Sequence, residues 1–320
     1  MFEIVQTVKN KKLVIFTPLK KIELIIKKRL SASEKYNYIA KNYGYVLDNI
    51  QDFETSDKYK DVIWQIWFQG KEQAPELVQK CIDTLRANSN SRQVILITQD
   101  NVIDFINIPD YILEKYRKGI ISHAHFADYI RACLISKYGG LYIDANAVIT
   151  APIPEYFFEQ ECFFLKSEAC FDKVDYEKIN VVPLEKNKKF RLAPKKKPFL
   201  EISNWLVAGK PNNRLTNAIV TFLNEYWKKE NIAVDYFFFH YFVKFCTKND
   251  AECKKIFLEM DSVLNSYSFL MERAARTKEY SDELFNKICK ITSIHKFSCT
   301  FQNFNTYNKE WLKKIYSLSF

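Results

Sequence analysis

Residues 127–146 read ADYIRACLISKYGGLYIDAN and contain Gly139 and Gly140, an adjacent pair among only six glycines in the chain. Apolar residues at helical spacing before the pair predict a helix from about residue 123 to residue 138. Glycine directly after a helix adopts a left-handed backbone and reverses the chain, and the apolar residues 141–143 then predict a short strand. The segment therefore predicts a helix that turns sharply into a strand.

The upstream segments have the pattern of a parallel sheet. Residues 63–68 form a β-branched and aromatic run, an amphipathic stretch follows Pro75, and residues 93–98 (QVILIT) suit a strand buried on both faces. A strand, a helix and a strand in this order indicate parallel strands. A further helix is expected over residues 101–118. The chain is thus expected to have an α/β fold with a mostly parallel sheet flanked by helices.

Two oxygen-bearing side chains, Asp144 and Asn146, directly follow the short strand. In open α/β sheets ligands bind beyond the carboxyl ends of the strands, and residues two apart in an extended segment point to the same side. Both oxygens can therefore approach one hard cation such as Mg²⁺ or Mn²⁺. Asp and Asn are also common after strands because they start turns, so the pair alone is a weak signal.

The preceding helix carries Asp128 and Arg131 three residues apart, opposite an apolar stripe. On a free surface this spacing gives only an ion pair worth roughly 0.2–0.5 kcal/mol. A helix that docks on the sheet and ends beside Asp144 would instead direct both side chains toward the same crevice. There, Asp128 is suited to sugar hydroxyls, and Arg131 to a phosphate or a sugar.

The composition is that of an ordinary globular protein, with 320 residues, 48% hydrophobic and 27% charged, and a formal net charge of +10. These values exclude disordered, collagen-like and coiled-coil chains. Two blocks, residues 1–30 and 185–198, each have a net charge of +6, so the remaining chain has a net charge of about −2. Nucleic-acid binders spread basic and aromatic residues over a face, so no nucleic-acid partner is expected. The first block suits an anionic membrane surface or a solvated helix face, and the second a basic loop.

The protein is expected to be cytoplasmic. It shows no cleavable signal, and no apolar run approaches the roughly 18 residues of a transmembrane helix. The basic N-terminal block leaves a peripheral position at the inner face of the cell membrane as an alternative.

Its eight cysteines include no CxxC pair, so reduced, buried thiols are expected rather than disulfides or a zinc site.

Residues 127–146 resemble the signature of capsular polysaccharide synthesis proteins and of glycosyltransferase family 32, whose key spacing the glucosylating clostridial toxins share. In these families an acidic residue and an arginine three apart precede a Gly-Gly turn, a short strand and an Asp-x-Asp metal motif. Asp128, Arg131, the glycine pair and Asp144 fall on this pattern. The sequence departs from it at Asn146, in place of the second metal carboxylate, so weaker metal binding is expected.

Three further segments, within roughly residues 60 to 300, are similar to parts of these families. Residues 63–70, IWQIWFQG, resemble a first strand in which a tryptophan lies near the nucleotide base, and Trp67 is the match. Residues 202–211, ISNWLVAGKP, resemble a strand and a small-residue loop near donor and acceptor, with Asn204 as the polar contact. Residues 294–297, IHKF, resemble a late histidine-containing segment that closes over metal and diphosphate.

The resemblance implies a bacterial GT-A type, Rossmann-like hexosyltransferase that uses a nucleotide sugar, expected to be a UDP-hexose, with retention at the anomeric carbon. It also implies a divalent cation, Mn²⁺ or Mg²⁺, that stabilises the leaving diphosphate. Asp144 would be the main ligand, Asn146 a second ligand or an outer partner, and His295 a third. His295 fits an ordinary interior or surface histidine equally well.

The donor would be bound by residues from several of these segments. Asp128 and Arg131 would orient the donor sugar, Trp67 would pack near the base, and Lys296 would reach a phosphate. An aromatic residue in a first strand is a core residue at least as often, so Trp67 has both interpretations. Asp235 is a candidate for acceptor binding, with a helix N-cap as the alternative.

Three parts of the chain are expected. Residues 1–60 form a basic helical N-terminal segment, residues 61–165 a nucleotide-sugar-binding half, and residues 166–320 an acceptor-binding half with a helical C-terminal region. The acceptor would be a growing glycan, expected to be linked to a lipid diphosphate, and both basic blocks suit anionic headgroups. The alternative function is a catalytically silent nucleotide- or glycan-binding protein that has lost its metal through Asn146.

Overall fold

The computed structural model describes residues 29–59, 61–167, 199–261, 263, 265–298 and 306–318. Residues 1–28 and 185–198, which hold nearly all of the two basic blocks, lie outside the described residues. The expected membrane contact of the first block and the loop of the second therefore stay predictions. So does the division of the chain into three parts.

A central five-stranded sheet organises the chain. The described strands are β1 (Ile63–Ile66), β2 (Val94–Ile97), β3 (Gly140–Ile143), β4 (Ala147–Ile149), β5 (Cys162–Lys166), β6 (Ile202–Gly209) and β7 (Ile294–Lys296). The sheet has the order β2-β1-β3-β6-β5, and β4 and β7 form a separate antiparallel ladder. β1 is parallel to β2 and β3, whereas β6 is antiparallel to both β3 and β5. The expected α/β fold with a mostly parallel sheet is confirmed, with β6 as the reversed strand.

Helices cover both faces of the sheet. The described α-helices are α1 (Ala32–Tyr43), α2 (Glu76–Ala87), α3 (Asp110–Arg117), α4 (His123–Tyr138), α5 (Tyr156–Glu159), α6 (Arg214–Lys229), α7 (Phe238–Asn249), α8 (Ala251–Glu259), α9 (Leu270–Thr277), α10 (Asp282–Ile291) and α11 (Lys309–Tyr316). Short 3₁₀ helices occupy Gly44–Asn49, Asp57–Tyr59, Lys71–Gln73, Val102–Asp104 and Asn265–Phe269. Within the described ranges, no helix is long and apolar enough to cross a bilayer.

The two longest described helices, α4 and α6, begin at side-chain caps. The Ser122 hydroxyl accepts a hydrogen bond from the His125 amide at 3.2 Å, and the Asn213 side chain accepts one from the Thr216 amide at 3.0 Å. Such caps satisfy backbone donors that a helix leaves free at its start. The helix predicted over about residues 123–138 is therefore confirmed, because the cap and the glycine pair fix its two ends.

Alternate residues of the strands face two separate apolar cores. Trp64, Tyr142 and Val207 face the core shared with α1, α4, α6 and α7. Ile63 and Leu141 face the opposite core, which includes residues of α2 and β4. This alternation follows from the two-residue repeat of a strand. The sheet is consequently buried between two helical layers around its central strands.

The C-terminal helices form a third apolar cluster that holds β7 in place. Side chains of α9, α10 and α11 pack with Val148 of β4 and with Leu77 and Cys81 of α2. β7 pairs with β4 so that Ala147 is opposite Lys296. Residues from the end of the chain are thereby brought next to the strand that follows Asp144.

Two expected elements are wrong in detail. β2 is an edge strand whose first three residues are only half-buried, so the run at residues 93–98 is not covered on both faces. The helix expected over residues 101–118 is split into the 3₁₀ turn Val102–Asp104 and α3. Pro109 explains the break, because proline disfavours a helical conformation at the residue before it.

The glycine pair makes the turn from α4 to β3 in a conformation that other residues rarely adopt. Gly139 and Gly140 have φ angles of 69° and 88°. A Cβ atom on Gly140 would lie 2.4 Å from the carbonyl oxygen of Val62, and one on Gly139 would lie 2.8 Å from that of Gly209. The Gly139 carbonyl also accepts a hydrogen bond from the Trp64 indole at 3.0 Å. Both backbone angle and space therefore require glycine here.

We expect Gly140→Ala to be much more destabilising than Gly119→Ala. Gly119 also has a positive φ of +71°, but a Cβ atom there would have nothing within 4 Å. The control measures the backbone strain alone, on the order of 1–3 kcal/mol, whereas Gly140→Ala adds a steric clash of about 1–3 kcal/mol or more. Urea unfolding of both variants measures the difference. Equal losses of stability would contradict the close packing assigned to Gly140.

Candidate active site

A cavity of about 440 Å³ lies at the carboxyl ends of β1 and β3. Its walls come from residues 66–69 at the end of β1, from α4, from Tyr142 in β3 with residues 144–146 after it, and from Asn204 in β6. Tyr236 before α7 and His240 in α7 complete them. This is the place at which open α/β sheets bind ligands. The volume lies within the range of roughly 300–1,000 Å³ that small-molecule sites occupy.

The guanidinium of Arg131 joins three elements at the floor of this cavity. Its Nη2 atom lies 3.6 Å from Asp128 and 3.4 Å from Asp144, measured to one carboxylate oxygen of each. Its Nη1 atom donates to the backbone carbonyl of Asn204, and the ring of Tyr142 lies 4.5 Å from the guanidinium carbon. Arg131 is only 8% exposed, so α4 delivers it to the ends of β3 and β6 rather than to solvent.

The two carboxylates beside Arg131 have different environments. Burial raises the pKa of Asp128, and this effect exceeds the opposing effects of Arg131 and of the amide of Asn204, which donates to Asp128 at 2.7 Å. Burial also opposes ionisation of Asp144, but Lys296 and Arg131 outweigh it and hold the pKa of Asp144 below its usual value. Environments that separate the pKa values of neighbouring carboxylates are typical of reactive sites.

Lys296 bridges the two oxygens that follow β3. Its ammonium donates to Asp144 Oδ2 at 2.5 Å and also to the side-chain oxygen of Asn146. The Asn146 amide nitrogen donates to the carbonyl of Phe297 at 2.6 Å, and the Phe297 amide donates to the Asn146 carbonyl at 2.9 Å. These bonds fix the orientation of the Asn146 side chain and place its oxygen against Lys296.

As arranged, these residues do not fit a divalent cation. The two expected oxygen ligands, Asp144 and Asn146, are both hydrogen-bonded to the Lys296 ammonium, and only one of them carries a negative charge. Within the part of the chain that the structure describes, no three His, Cys, Asp or Glu side chains are grouped so as to hold a metal ion. Binding of Mn²⁺ or Mg²⁺ stays a prediction, but its expected ligand set is not formed.

The structure corrects the placement of His295. Neighbouring residues of a strand point to opposite sides, so Lys296 faces Asp144 while His295 faces away. The His295 ring is completely buried, with Nε2 3.0 Å from the Thr150 hydroxyl. Burial lowers the pKa of His295 to about 3, which keeps the ring neutral. His295 is thus an interior histidine, as the alternative interpretation held, rather than a third ligand beside Asp144.

The structure also corrects the placement of Asp235. Its carboxylate pairs with Lys35 of α1 at 2.6 Å, and it accepts a hydrogen bond from the amide of Phe237 at 2.9 Å. Asp235 is not among the residues that line the cavity. It forms a turn ahead of α7, whose N-cap is Phe237, and ties this turn to α1. The neighbouring Tyr236, rather than Asp235, faces the cavity.

Trp67 lines the cavity beyond the end of β1. Its ring is half-buried, and its indole nitrogen is buried without a hydrogen-bond partner among the described residues. Several further lining residues were not predicted from the sequence, among them Tyr142, Tyr236 and His240. Tyr142 was visible as the residue two before Asp144, but nothing local marks Tyr236 or His240 as facing the same cavity.

The family model described as "Capsular polysaccharide synthesis protein" matches residues 19–315. The chain therefore belongs to the capsular polysaccharide synthesis protein family. Among solved structures, the chain is similar to the "PaToxG Glycosyltransferase", with 11% sequence identity and a TM-score of 0.34. That similarity covers 86% of this chain and 100% of the other. No protein with a curated description matches the chain.

We expect Asp128→Asn to stabilise the protein at neutral pH. Because the pKa of Asp128 is raised in the folded state, stability falls as pH rises from the usual carboxyl range through the raised value, and the loss is complete above it. The amide keeps an acceptor for Asn204 and removes this loss, with a gain on the order of 1 kcal/mol, or about 2 °C in Tm.

Thermal unfolding at several pH values checks this expectation, with the exposed Asp104→Asn as the matched control. The gain for Asp128→Asn should be largest at neutral pH and should shrink as the pH approaches about 4, where the wild-type carboxyl is protonated as well. A lower Tm for Asp128→Asn at neutral pH would show that its ion pair with Arg131 outweighs the cost of burial.

Proposed function

We propose that the protein is a GT-A type glycosyltransferase that transfers a hexose from a UDP-sugar to a glycan acceptor with retention of anomeric configuration. The supporting observation is one cavity that combines groups for a sugar, a diphosphate and a nucleobase. Family membership in capsular polysaccharide synthesis agrees with such a reaction. The lining residues come from β1, α4, β3 and β6, together with the segment before α7. Lys296 of β7 is not among the lining residues and joins the site through its ion pair with the lining residue Asp144.

The donor sugar would be bound by Asp128 and Asn204. Their side chains are joined at 2.7 Å and both line the cavity, so together they offer acceptors and donors for vicinal hydroxyls. Arg131 contacts both Asp128 and Asp144 and is itself almost completely buried. We therefore assign Arg131 as a positioning residue that holds the two carboxylates, with direct contact to the donor as a secondary role.

The diphosphate would lie beside Asp144 and Lys296. When the bond from the sugar to the diphosphate breaks, negative charge develops on a phosphate oxygen and requires fixed positive groups nearby. Lys296 and Arg131 supply two positive charges within contact distance of Asp144. Asp144 keeps both cations in place, because each of its oxygens lies close to one of them.

The nucleobase would pack against Trp67 at the end of β1. The indole faces the cavity, and its buried N–H has no hydrogen-bond partner among the described residues. An acceptor atom on the ligand would therefore satisfy this N–H. An aromatic ring supplies stacking surface to any base, and the choice of uracil would depend on the groups around it. This proposal gives Trp67 a binding role in addition to its contact with the core.

The acceptor would approach across Tyr236. This ring is 61% exposed although it belongs to the wall of the cavity, and exposed aromatic rings offer a flat apolar face to sugars. Asn204, Tyr236 and Lys296 belong to the expected acceptor-binding half, and the other groups belong to residues 61–165. A lipid-linked acceptor and contact of the basic blocks with an anionic membrane remain parts of the proposal.

A nucleotide-release assay with a panel of UDP-sugars tests the proposed activity. We expect Asp144→Asn to lower kcat/KM by about 100-fold, the scale for loss of one preorganised charged group, because Lys296 and Arg131 lose their shared anchor. Asp104→Asn removes the same charge from an exposed site and should leave turnover unchanged. Thermal unfolding of both variants verifies that they are folded.

Two other results would be informative. Binding of UDP by calorimetry without release from any UDP-sugar would favour the catalytically silent alternative. Neither binding nor release would contradict a nucleotide-sugar site in this cavity.

A further inference from the structure

We propose that the Lys296 ammonium replaces the divalent cation in this chain, so that sugar transfer proceeds without a metal ion. The inference rests on the proposed glycosyltransferase function and concerns the same site. It begins from the position of one atom, Lys296 Nζ, between the side-chain oxygens of Asp144 and Asn146. Those are the two oxygens that the sequence pattern assigns to a cation.

The side-chain oxygens of Asp144 and Asn146 around Lys296 Nζ all accept hydrogen bonds within the protein. Asp144 Oδ2 accepts from Lys296 at 2.5 Å, and Asp144 Oδ1 accepts from the Tyr142 hydroxyl at 2.6 Å and lies 3.4 Å from Arg131. The Asn146 oxygen accepts from Lys296, and its amide nitrogen is bound to a backbone carbonyl. A metal ion would have to displace the ammonium before it could reach either side chain.

The charge of the cluster also disfavours a second cation. Asp128 and Asp144 carry two negative charges when ionised, and Arg131 and Lys296 carry two positive charges, so the cluster is balanced. Hard cations bind most strongly where several carboxylates are grouped, and the residue that supplies the second oxygen here is the neutral Asn146. Adding a divalent ion to a balanced and largely buried cluster would leave two uncompensated positive charges.

The position of Lys296 is fixed by the backbone rather than by the carboxylate alone. β7 pairs with β4, and the Phe297 amide binds the Asn146 carbonyl at 2.9 Å directly after Lys296. The Lys296 ammonium lies 5.4 Å from the centre of the Trp205 ring, and the residue is 8% exposed. A cation held in this way requires little rearrangement when charge develops nearby, as electrostatic catalysis requires.

An ammonium can perform the step assigned to the metal. The bond between the anomeric carbon and the diphosphate oxygen breaks with its electron pair on that oxygen, and the acceptor oxygen forms the new bond to the anomeric carbon. The proton of the acceptor hydroxyl goes to the departing diphosphate or to water. Lys296 has three N–H donors, two of which bind Asp144 and Asn146, so one remains to donate to the phosphate.

Direct titration of the protein with Mn²⁺, followed by electron paramagnetic resonance, tests the inference without any substrate. We expect no stoichiometric Mn²⁺ site in the wild type. The double variant Asn146→Asp with Lys296→Met supplies two carboxylates and removes the ammonium, so it should acquire a site. Stoichiometric binding to the wild type that disappears in Asp144→Asn would overturn the proposal.

Turnover with and without metal is the second measurement. After treatment with EDTA, the wild type should release nucleotide at a rate within about twofold of the rate with added Mn²⁺. Lys296→Met should lose about 100-fold in kcat, and Lys296→Arg should recover part of it because it keeps the charge. Lys313→Met removes the same charge from an exposed position on α11 and should retain full activity.

The outcomes separate the two proposals. Turnover that requires Mn²⁺ would overturn the metal-free mechanism and leave the glycosyltransferase function intact. Absence of turnover under both conditions would contradict the proposed function, and the Mn²⁺ titration would still decide whether Lys296 excludes the metal. Full activity of Lys296→Met in EDTA would overturn the role of the lysine.

Discussion

Two carboxylates and two cations, Asp128, Arg131, Asp144 and Lys296, are gathered in one largely buried cluster beneath the cavity. A buried charge is costly unless it is paired, so each of these side chains restricts where its partners can lie. The cluster joins α4, the end of β3 and β7. The surrounding packing must therefore hold a helix, a central strand and a C-terminal strand in fixed relative positions. Because burying these four charges costs about as much free energy as their pairing returns, the fold holds the charges in place without gaining much stability from them.

The glycine pair makes it possible for these four charged side chains to lie together. At the turn, the backbone passes within a distance of Val62 that excludes any Cβ atom, so α4 and β3 are closely packed against β1. Arg131, seven residues before the end of α4, then reaches Asp144, one residue beyond β3. The C-terminal cluster supplies the other cation through the pairing of β7 with β4. The glycine turn and the C-terminal helices, which are far apart in the sequence, thus both position residues of the same charged cluster.

Local sequence signals predicted much of this arrangement. The helix before the glycine pair, the strand after it and the cavity positions of Asp128, Arg131 and Asp144 follow from periodicity, turn chemistry and a recognisable motif. The cavity position of Asn204 follows from the family resemblance alone. What depends on register or distant contacts was not predictable. Strand alternation decides that Lys296 rather than His295 faces Asp144, and a one-residue shift would reverse it. The Asp235 carboxylate pairs with Lys35, a residue 200 positions earlier, instead of lining the cavity, and no local pattern reveals this contact.

Both proposals require that a nucleoside diphosphate binds in this cavity, and the second requires Lys296 in place of a metal ion. A crystal structure of the protein with UDP, grown in the presence of Mn²⁺, tests both requirements most directly. We expect the diphosphate within hydrogen-bond distance of Lys296 Nζ, the base against Trp67, and no anomalous scattering from manganese beside Asp144. An anomalous peak between Asp144 and the diphosphate, with Lys296 displaced, would contradict it.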